Sequence, residues 1–318
     1  MKKIVLTLLT AVLAIVLAGS CKAEQPLRLL YWNIQNGMWD GQNDNYDRFV
    51  EYVKSQNPDI CVWCEAQSIW ETDAHVKMPE EDRYLVDHWG ELAARYGHKY
   101  WGISAHRDNY PQVITSKYPI TYIDRIFGEI PDKVVSHGCG WATIEVGGKT
   151  INIVTVHTWP SAHARKAPDK AASKAEHGGD KYRAMEIQYI CEHTIATVPD
   201  AKDQLWMMMG DFNSVTRLDN DHYGYADDDT RLLTQDYVLN NTPYIDVIKA
   251  KYPNEFKPST GNKKRRIDYV YCTKPLYDKI VFADIIWDEY TTPVKDKVDI
   301  FWRPSDHLPI LVDFDLDK

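Results

Sequence analysis

The 318-residue sequence predicts an α/β protein in which mixed β-sheets are covered by helices. Short runs rich in Val, Ile, Tyr and Trp recur along the chain, and amphipathic helical patterns separate the earlier runs. Later runs follow one another directly, as the strands of an antiparallel pair do. Because strand–helix alternation favours parallel neighbours and direct succession favours antiparallel ones, we expect mixed sheets rather than a purely parallel doubly wound sheet.

The predicted strands are short, and their β-branched and aromatic content distinguishes them from helices. Gly147 and Gly148 stand directly after WATIEV and before the next strand, which predicts a hairpin at this position. In chain order the predicted strands are LRLLYWNI, DICVWCEA, QVITSKY, WATIEV, INIVTVHT, LWMMMGDF, RIDYVYC and PILVDFD.

Two segments have the apolar spacing of amphipathic helices. NYDRFVEYVKSQNPD places Phe49, Val50 and Val53 on one face and ends before its proline. DKYRAMEIQYICEHTI places Tyr182, Met185 and Tyr189 on one face, which we expect to be the buried one.

The stretch from Pro160 to Asp180 is rich in alanine, lysine and histidine and has no apolar periodicity. It predicts a long loop or a short solvent-facing helix. Loops of this length in compact domains are often functional, but a tolerated surface insertion fits the sequence equally well.

The first 21 residues are typical of a signal peptide, with Lys2 and Lys3, an apolar run from Ile4 to Leu17, and small residues before Cys21. The LAGSC sequence resembles the lipobox of bacterial lipoproteins, in which the cysteine is lipidated after cleavage. We therefore expect export to the bacterial cell envelope, with membrane attachment only through lipidated Cys21 on the periplasmic or outer surface. Ordinary secretion is the alternative.

The other cysteines are odd in number, so they cannot all pair, and a disulfide framework is not expected. Cys61 and Cys64 form a CxxC within an apolar run that has no second CxxC, which favours core packing over a zinc site. The net charge of −9 opposes non-specific capture of polyanions. An anionic substrate must then meet local positive charge or a metal ion.

Polar residues stand at the ends of the predicted strands. If the later strands run antiparallel to the earlier ones, these residues converge on one edge of the sheets. Carboxylate and amide groups gathered in this way are typical of a site for a hard cation such as Mg²⁺. Zinc-peptidase, serine-hydrolase and nucleotide-loop motifs are absent from the sequence. The converging residues are Asn33, Glu65, His157, Asp211, Asn213, Asp268, Asp306 and His307.

Six motifs in collinear order resemble those of the endonuclease/exonuclease/phosphatase family: WNIQNG, PDICVWCEAQ, VTVHTWP, GDFN, RIDYV and SDHLPI. The resemblance runs from about Leu27 to the C-terminus. It implies a four-layered α/β sandwich with two central mixed β-sheets flanked by helices. We accordingly assign residues 22–318 to a single catalytic domain.

The resemblance also implies a metal site. Glu65, supported by Asn33 and Asp306, would hold Mg²⁺ or Mn²⁺. The metal would offset charge on the phosphoryl and leaving oxygens.

The remaining motif residues are implied to act on water and phosphate. His307 and Asp268 would form an oriented pair, and Asp211 would position or deprotonate the attacking water. Asn213 would donate a hydrogen bond to a phosphate oxygen, and His157 would contact the scissile phosphate. Whether Asp211 or His307 is the base stays open.

The implied function is metal-dependent hydrolysis of phosphate esters, with a phosphodiesterase or nuclease as the first hypothesis. A lipid-headgroup or sugar-phosphate phosphatase of the same family, and a catalytically silent binding protein on this fold, are the alternatives. Lys264 and Arg266 lie just before Asp268 and are candidate substrate-binding residues, although a solvated loop would also carry such charges. We expect a monomer whose partner is its phosphoester substrate.

Overall fold

The computed structural model describes residues 26–38, 41, 44–67, 86–105, 110–128, 134–295 and 302–318. The expected signal peptide and Cys21 lie outside these residues. The strands are β1 Leu27–Asn33, β2 Ile60–Cys64, β3 Tyr100–Ile103, β4 Val113–Ser116, β5 Ile120–Ile126, β6 Cys139–Val146, β7 Lys149–His157, β8 Leu205–Asp211, β9 Ile245–Asp246, β10 Asp268–Cys272, β11 Ile280–Ile285, β12 Val294–Lys295, β13 Trp302–Arg303 and β14 Ile310–Phe314.

The helices connect these strands and cover the sheets. The α-helices are Asp47–Gln56, Val86–Arg95, Lys170–Ala175, Gly178–Glu192, Asn220–Tyr223, Leu233–Asn241, Val247–Lys251 and Lys274–Tyr277, with a distorted helical turn at Gln35–Met38. Short 3₁₀ helices span Ile195–Thr197, Ala201–Asp203, Arg217–Asp219 and Thr230–Leu232.

Two six-stranded sheets form the centre of the molecule. Their strand orders are β11-β14-β1-β2-β4-β3 and β5-β6-β7-β8-β10-β9, and β12 pairs with β13 separately. In each sheet one central pair is parallel, β1 with β2 and β7 with β8, and the neighbouring pairs are antiparallel. The prediction of mixed sheets is therefore confirmed.

Three apolar clusters hold the layers together. One lies between the sheets and joins residues such as Val62 of the first sheet to Met209 of the second. A second packs the helices Asp47–Gln56 and Val86–Arg95 on the outer face of the first sheet. A third packs Gly178–Glu192 with other residues on the outer face of the second sheet. The molecule is thus a four-layered α/β sandwich, as the motif resemblance implies.

The local predictions hold for the strands and less well for one helix. Each of the eight predicted strands is present, and Gly147 and Gly148 turn the β6–β7 hairpin with positive φ. The predicted apolar face of Gly178–Glu192 is wrong, because Met185 is 42% exposed whereas Ile187 and Ile190 are buried. The reason is that this helix also buries polar residues, which shifts its inner face away from the apolar pattern.

The residues from Pro160 to Asp180 form a loop and the exposed helix Lys170–Ala175, as predicted. Cys61 and Cys64 are buried on β2, and every described cysteine is a free thiol. Among the described residues, no helix combines the length and apolar character needed to cross a bilayer.

Candidate active site

Two parallel strand pairs bring polar residues from both sheets to one edge of the sandwich. On the first sheet Asn33 lies opposite Cys64, and Glu65 follows directly. On the second sheet His157 lies opposite Asp211. The carboxyl ends of parallel strands are where α/β sheets commonly bind ligands, and here four polar residues end such strands.

Antiparallel neighbours complete this edge. Asp268 begins β10 opposite Asp211 of β8. His307 stands just before β14, which runs antiparallel to β1, and forms an isolated bridge with Thr260. The beginnings of these strands therefore meet the ends of the others, as expected for later strands that run antiparallel to the earlier ones.

His307 and Asp268 form a buried, closely hydrogen-bonded pair. Nδ1 of His307 lies 2.7 Å from Oδ2 of Asp268. Ser259 donates its hydroxyl to the same oxygen at 2.7 Å, and Tyr31 donates to Oδ1 at 2.8 Å. Because an ionised carboxylate only accepts hydrogen bonds, Nδ1 carries a proton and Nε2 is directed towards the other acids.

Nε2 of His307 faces two further carboxylates. It lies 3.8 Å from Oδ2 of Asp211 and 3.9 Å from Oδ1 of Asp306. Burial disfavours the imidazolium form, but the surrounding carboxylates, Asp268 above all, outweigh it and raise the pKa of His307 well above its usual range. This imidazole can therefore hold a proton at the centre of the acidic cluster.

Asn33 and Asn213 fix the positions of the neighbouring carboxylates. The backbone N–H of Asn213 donates to Oδ1 of Asp211 at 2.8 Å. The side-chain amide of Asn33 donates to Asp211 at 3.1 Å and to Glu65 at 3.2 Å, and its oxygen accepts from the N–H of Gln35. Asn33 thus joins a residue of each sheet.

The electrostatics of this cluster favour a bound cation. Burial and the adjacent Asp268 raise the pKa of Asp211 to about 8. Burial and Asp306 raise the pKa of Glu65. Ionising these crowded acids is costly, and a positive ion beside them would reverse that cost.

The donor atoms have the spacing of a metal site. Carboxylate oxygens dominate, which suits a hard divalent cation such as Mg²⁺ or Mn²⁺. Two groups of residues each place their donor atoms within 4.8 Å of one another: Glu65, His157 and Asp211, and Asp211, Asp268 and His307.

Asn33 and Asp306, which were expected to support Glu65 as metal ligands, differ from it in their contacts. Asn33 turns its NH₂ group towards the acids, so its oxygen is engaged with Gln35. The Asp306 side chain is 38% exposed and lies at the open side of the cluster. Glu65 and Asp211 are the acids that face one another around the shared amide of Asn33.

His157 is buried beneath a stack of rings. Its imidazole stacks on His137 with centroids 4.5 Å apart, and His137 stacks on Trp159. Its Nε2 lies 4.0 Å from Oε1 of Glu65. Burial and the neighbouring His137 lower the pKa of His157 well below its usual range, so it is a neutral hydrogen-bonding group at neutral pH.

Arg266, expected to bind substrate, lies elsewhere. It is 1% exposed, and its guanidinium donates to Asp219 and Asp246 at 2.7 Å and packs over the ring of Tyr269. A guanidinium buried between two carboxylates cannot reach a substrate, so this prediction is wrong. Lys264 is exposed.

Three residues that support the site through hydrogen bonds were not predicted from the sequence. Tyr31 stands two residues before Asn33 on β1, and this spacing is a signal that both point to one side. Ser259 and Glu186 carry no such signal. Glu186 is buried and accepts the backbone N–H groups of Ser136 at 2.6 Å and Trp159 at 2.8 Å, and burial raises its pKa to about 7.

The comparison with protein families agrees with this geometry. The model of the endonuclease/exonuclease/phosphatase family matches residues 30–307. The chain belongs to this family. Members of the family are typically metal-dependent phosphoesterases. No curated protein sequence matches the chain.

Several solved structures share the fold. An AP endonuclease from Archaeoglobus fulgidus superposes with a TM-score of 0.59 at 17% identity, covering 91% of this chain and 99% of that one. The catalytic domain of human Nocturnin, with a bound sulfate anion, gives 0.56 at 14% identity over 92% and 94%. Truncated TDP2 of Caenorhabditis elegans gives 0.55 at 16% identity over 91% and 97%.

Proposed function

We propose that this protein is a divalent-metal-dependent phosphodiesterase, with a nuclease as the leading form of that activity. The observation that carries the proposal is the His307–Asp268 pair, whose free nitrogen faces Asp211 at 3.8 Å. An imidazole oriented by a carboxylate beside a second carboxylate is suited to moving a proton to or from water.

The proton-transfer roles follow from the hydrogen bonds. Asp268 holds Nδ1 of His307, so Nε2 is the nitrogen that exchanges a proton with the reacting groups. Asp211 is held by the backbone N–H of Asn213, and its raised pKa of about 8 brings its proton exchange with water close to neutral pH.

Two uncharged side chains, those of Asn213 and His157, can donate hydrogen bonds to the phosphate. Asn213 uses one amide hydrogen on the carbonyl of Thr158 at 3.1 Å, which orients its second hydrogen for a phosphate oxygen. His157 is neutral and rigidly stacked, so it can donate to the same phosphate without a change of charge.

Glu65, with Asp211 and the nearby Asp306, would hold Mg²⁺ or Mn²⁺. When bound, the ion supplies Lewis-acid stabilisation of charge on the phosphoryl oxygens. The neutral Asn33 amide donates a hydrogen bond to both Glu65 and Asp211 and so sets the separation of the two carboxylates.

The test is hydrolysis of bis-p-nitrophenyl phosphate, DNA and RNA by the purified protein with Mg²⁺, with Mn²⁺ and with EDTA. We expect metal-dependent cleavage that EDTA abolishes, and a loss of at least about 10²-fold in kcat for His307→Ala. Calorimetric titration with Mn²⁺ is the control, since the variant keeps Glu65 and should still bind the ion. Wild-type rates in His307→Ala would contradict the mechanism. Failure to bind Mn²⁺ would favour the silent binding protein.

A further inference from the structure

A cavity of about 360 Å³ opens beside the edge of the sandwich where the candidate active-site residues meet. Asn213 lines it, and the backbone of the same residue donates to Asp211. The rest of its lining comes from residues 160–183, from the two residues after Asn213, from Tyr225 and Arg231, and from Arg265 and Ile267. A substrate held at Asn213 would therefore extend into this cavity.

The lining of the cavity is positively charged in an acidic protein. It contains Lys174, Arg183, Arg231 and Arg265 against a single acid, Asp180. Arg183 pairs with Asp180, and Arg231 pairs with Asp229 outside the lining.

Two of these cations have no carboxylate partner among the residues that the structure describes. Lys174 and Arg265 are exposed, and neither forms an ion pair or side-chain hydrogen bond with any residue that the structure describes. With the net charge of the chain at −9, two unpaired cations facing one cavity are an unusual local excess.

The loop and the helix that line one side of the cavity are joined by several close contacts. Arg183 donates to the carbonyls of Trp159 at 2.9 Å and Ser161 at 3.1 Å. The N–H of Gly179 donates to Ala162, and a Cβ at Gly179 would lie 2.1 Å from the carbonyl oxygen of Ser161. The loop that lines the cavity is therefore closely packed on the helix Gly178–Glu192.

A second contact fixes the opposite part of the lining. Asp180 accepts the hydroxyl of Thr230 at 2.8 Å, which joins the helix to the segment that carries Arg231. The guanidinium of Arg231 lies 3.6 Å from the ring centre of Tyr225. These contacts hold the wall of the cavity in place, so an anion that binds there does not have to order the surrounding loop and helix, which lowers the entropic cost of binding.

We infer that this cavity binds a second, terminal phosphate of the substrate, with Lys174 and Arg265 as its direct contacts. The inference rests on the proposed phosphodiesterase function and specifies its substrate class: a small phosphodiester that carries a further phosphate near the scissile one. The volume lies at the lower end of the range of about 300 to 1,000 Å³ for small-molecule sites, which suits a terminal group better than a continuing strand.

Binding is measured by calorimetry without catalysis, using thymidine 5′-monophosphate and thymidine 3′,5′-bisphosphate. We expect the wild type to bind the bisphosphate about tenfold more tightly, as charge-assisted hydrogen bonds to one added phosphate allow. The double variant Lys174→Ala/Arg265→Ala should bind the two nucleotides within about twofold of each other. The matched control Lys181→Ala/Lys251→Ala removes the same charge outside the cavity and should keep the wild-type preference.

Hydrolysis separates this site from the proposed function. Thymidine 5′-(p-nitrophenyl phosphate), with and without a 3′-phosphate, should show the same preference in kcat/KM, lost in the double variant. A bisphosphate preference in binding without any hydrolysis would support the cavity and contradict the phosphodiesterase. Hydrolysis with equal binding of both nucleotides, or a preference kept by the double variant, would overturn the cavity site.

Competition identifies the source of the phosphate. An oligothymidylate with a 3′-terminal phosphate is compared with the same oligomer ending in a hydroxyl. Stronger competition by the phosphorylated oligomer would assign the site to strand ends, and equal competition would assign it to small bisphosphates. Once the bisphosphate preference has been measured by calorimetry, this comparison decides only between these two sources.

Discussion

At the scale of single residues, Asp268 has the densest set of partners in the site. It is fully buried, yet both oxygens are hydrogen-bonded, by Tyr31 on one side and by Ser259 and His307 on the other. A buried carboxylate is tolerated when its hydrogen bonds are complete, and here those bonds also set the orientation of the imidazole.

Asp268→Asn should reduce kcat by about 10²- to 10⁴-fold, because an amide can donate to Nδ1 and stabilise the wrong tautomer of His307. Steady-state kinetics with bis-p-nitrophenyl phosphate measures the change. Tyr31→Phe, which removes a neutral partner of the same carboxylate, is the matched control and should lose less than about tenfold. Equal losses in the two variants would contradict an orienting role for the charge.

His98 shows how burial alters the pKa of a residue that is not part of the candidate site. It is 1% exposed, and its nitrogens contact the Thr115 hydroxyl and the Pro58 carbonyl at 2.9 Å. Because the carbonyl can only accept, Nε2 carries the proton in the neutral ring. Burial lowers the pKa of His98 to about 4.

This shift predicts a pH dependence of stability. The folded pKa lies below the unfolded value of about 6.5, so the contribution is complete above that pH and is lost as the pH falls towards 4. Between pH 7 and pH 4.5 the wild type should lose about 2 to 3 kcal/mol more unfolding free energy than His98→Gln. Urea denaturation at both pH values tests this, and parallel losses in the two proteins would refute it.

At the scale of elements, the close approach of β7 and β8 explains the glycine of GDFN. A Cβ on Gly210 would lie 1.8 Å from the carbonyl oxygen of Val156. Gly210 pairs with Val156, one residue before the pair His157 and Asp211. The spacing of His157 and Asp211 therefore depends on a residue that has no side chain.

Gly210→Ala should destabilise the fold by about 3 kcal/mol, because backbone atoms must move to admit the methyl group. Gly147→Ala is the comparison, since a Cβ there meets nothing within 4 Å and only the positive φ of 56° is unfavourable. It should cost about 1 to 2 kcal/mol. Urea denaturation measures both, and an equal or smaller cost at Gly210 would contradict the close approach.

The helix Gly178–Glu192 acts as a support for the site rather than as a simple cover of the sheet. Glu186 receives N–H groups from both segments that carry the rings around His157. Arg183 fixes the loop that follows His157. These buried polar contacts explain why the apolar spacing of Tyr182, Met185 and Tyr189 predicted the wrong inner face.

At the scale of the whole molecule, the two sheets carry equivalent parts of the site. Each has one parallel pair, and the carboxyl ends of both pairs contribute to the same edge. The apolar cluster between the sheets holds the two halves together, so the site depends on correct packing of the sandwich.

The proposed attachment of the molecule to a membrane is tested separately from its fold. Cys21→Ala should move the protein from the membrane fraction to the soluble fraction, because its only expected anchor is a lipid on that cysteine. Fractionation followed by immunoblotting measures the distribution. A variant that stays in the membrane fraction would refute lipidation, and retained activity in the soluble fraction is the control for folding.

Local sequence patterns predicted eight of the strands, the mixed sheets and the polar residues that meet at the candidate site. Strand periodicity is local, so eight strands could be read directly, and polar residues at their ends stand out against apolar runs. Asp211 and Asn213 follow five apolar residues and were evident for that reason. The family motifs added the layer order, which no local pattern contains.

Which charged residues face the site and which support it depends on packing that local sequence patterns do not contain. Arg266 and Lys264 look alike in the sequence, but one is buried between Asp219 and Asp246 and the other is exposed. Ser259 and Glu186 join the site through contacts with distant parts of the chain. The physical reason is that a hydrogen bond depends on positions in space, and these are set by packing of the two sheets and their helices rather than by neighbours in the chain.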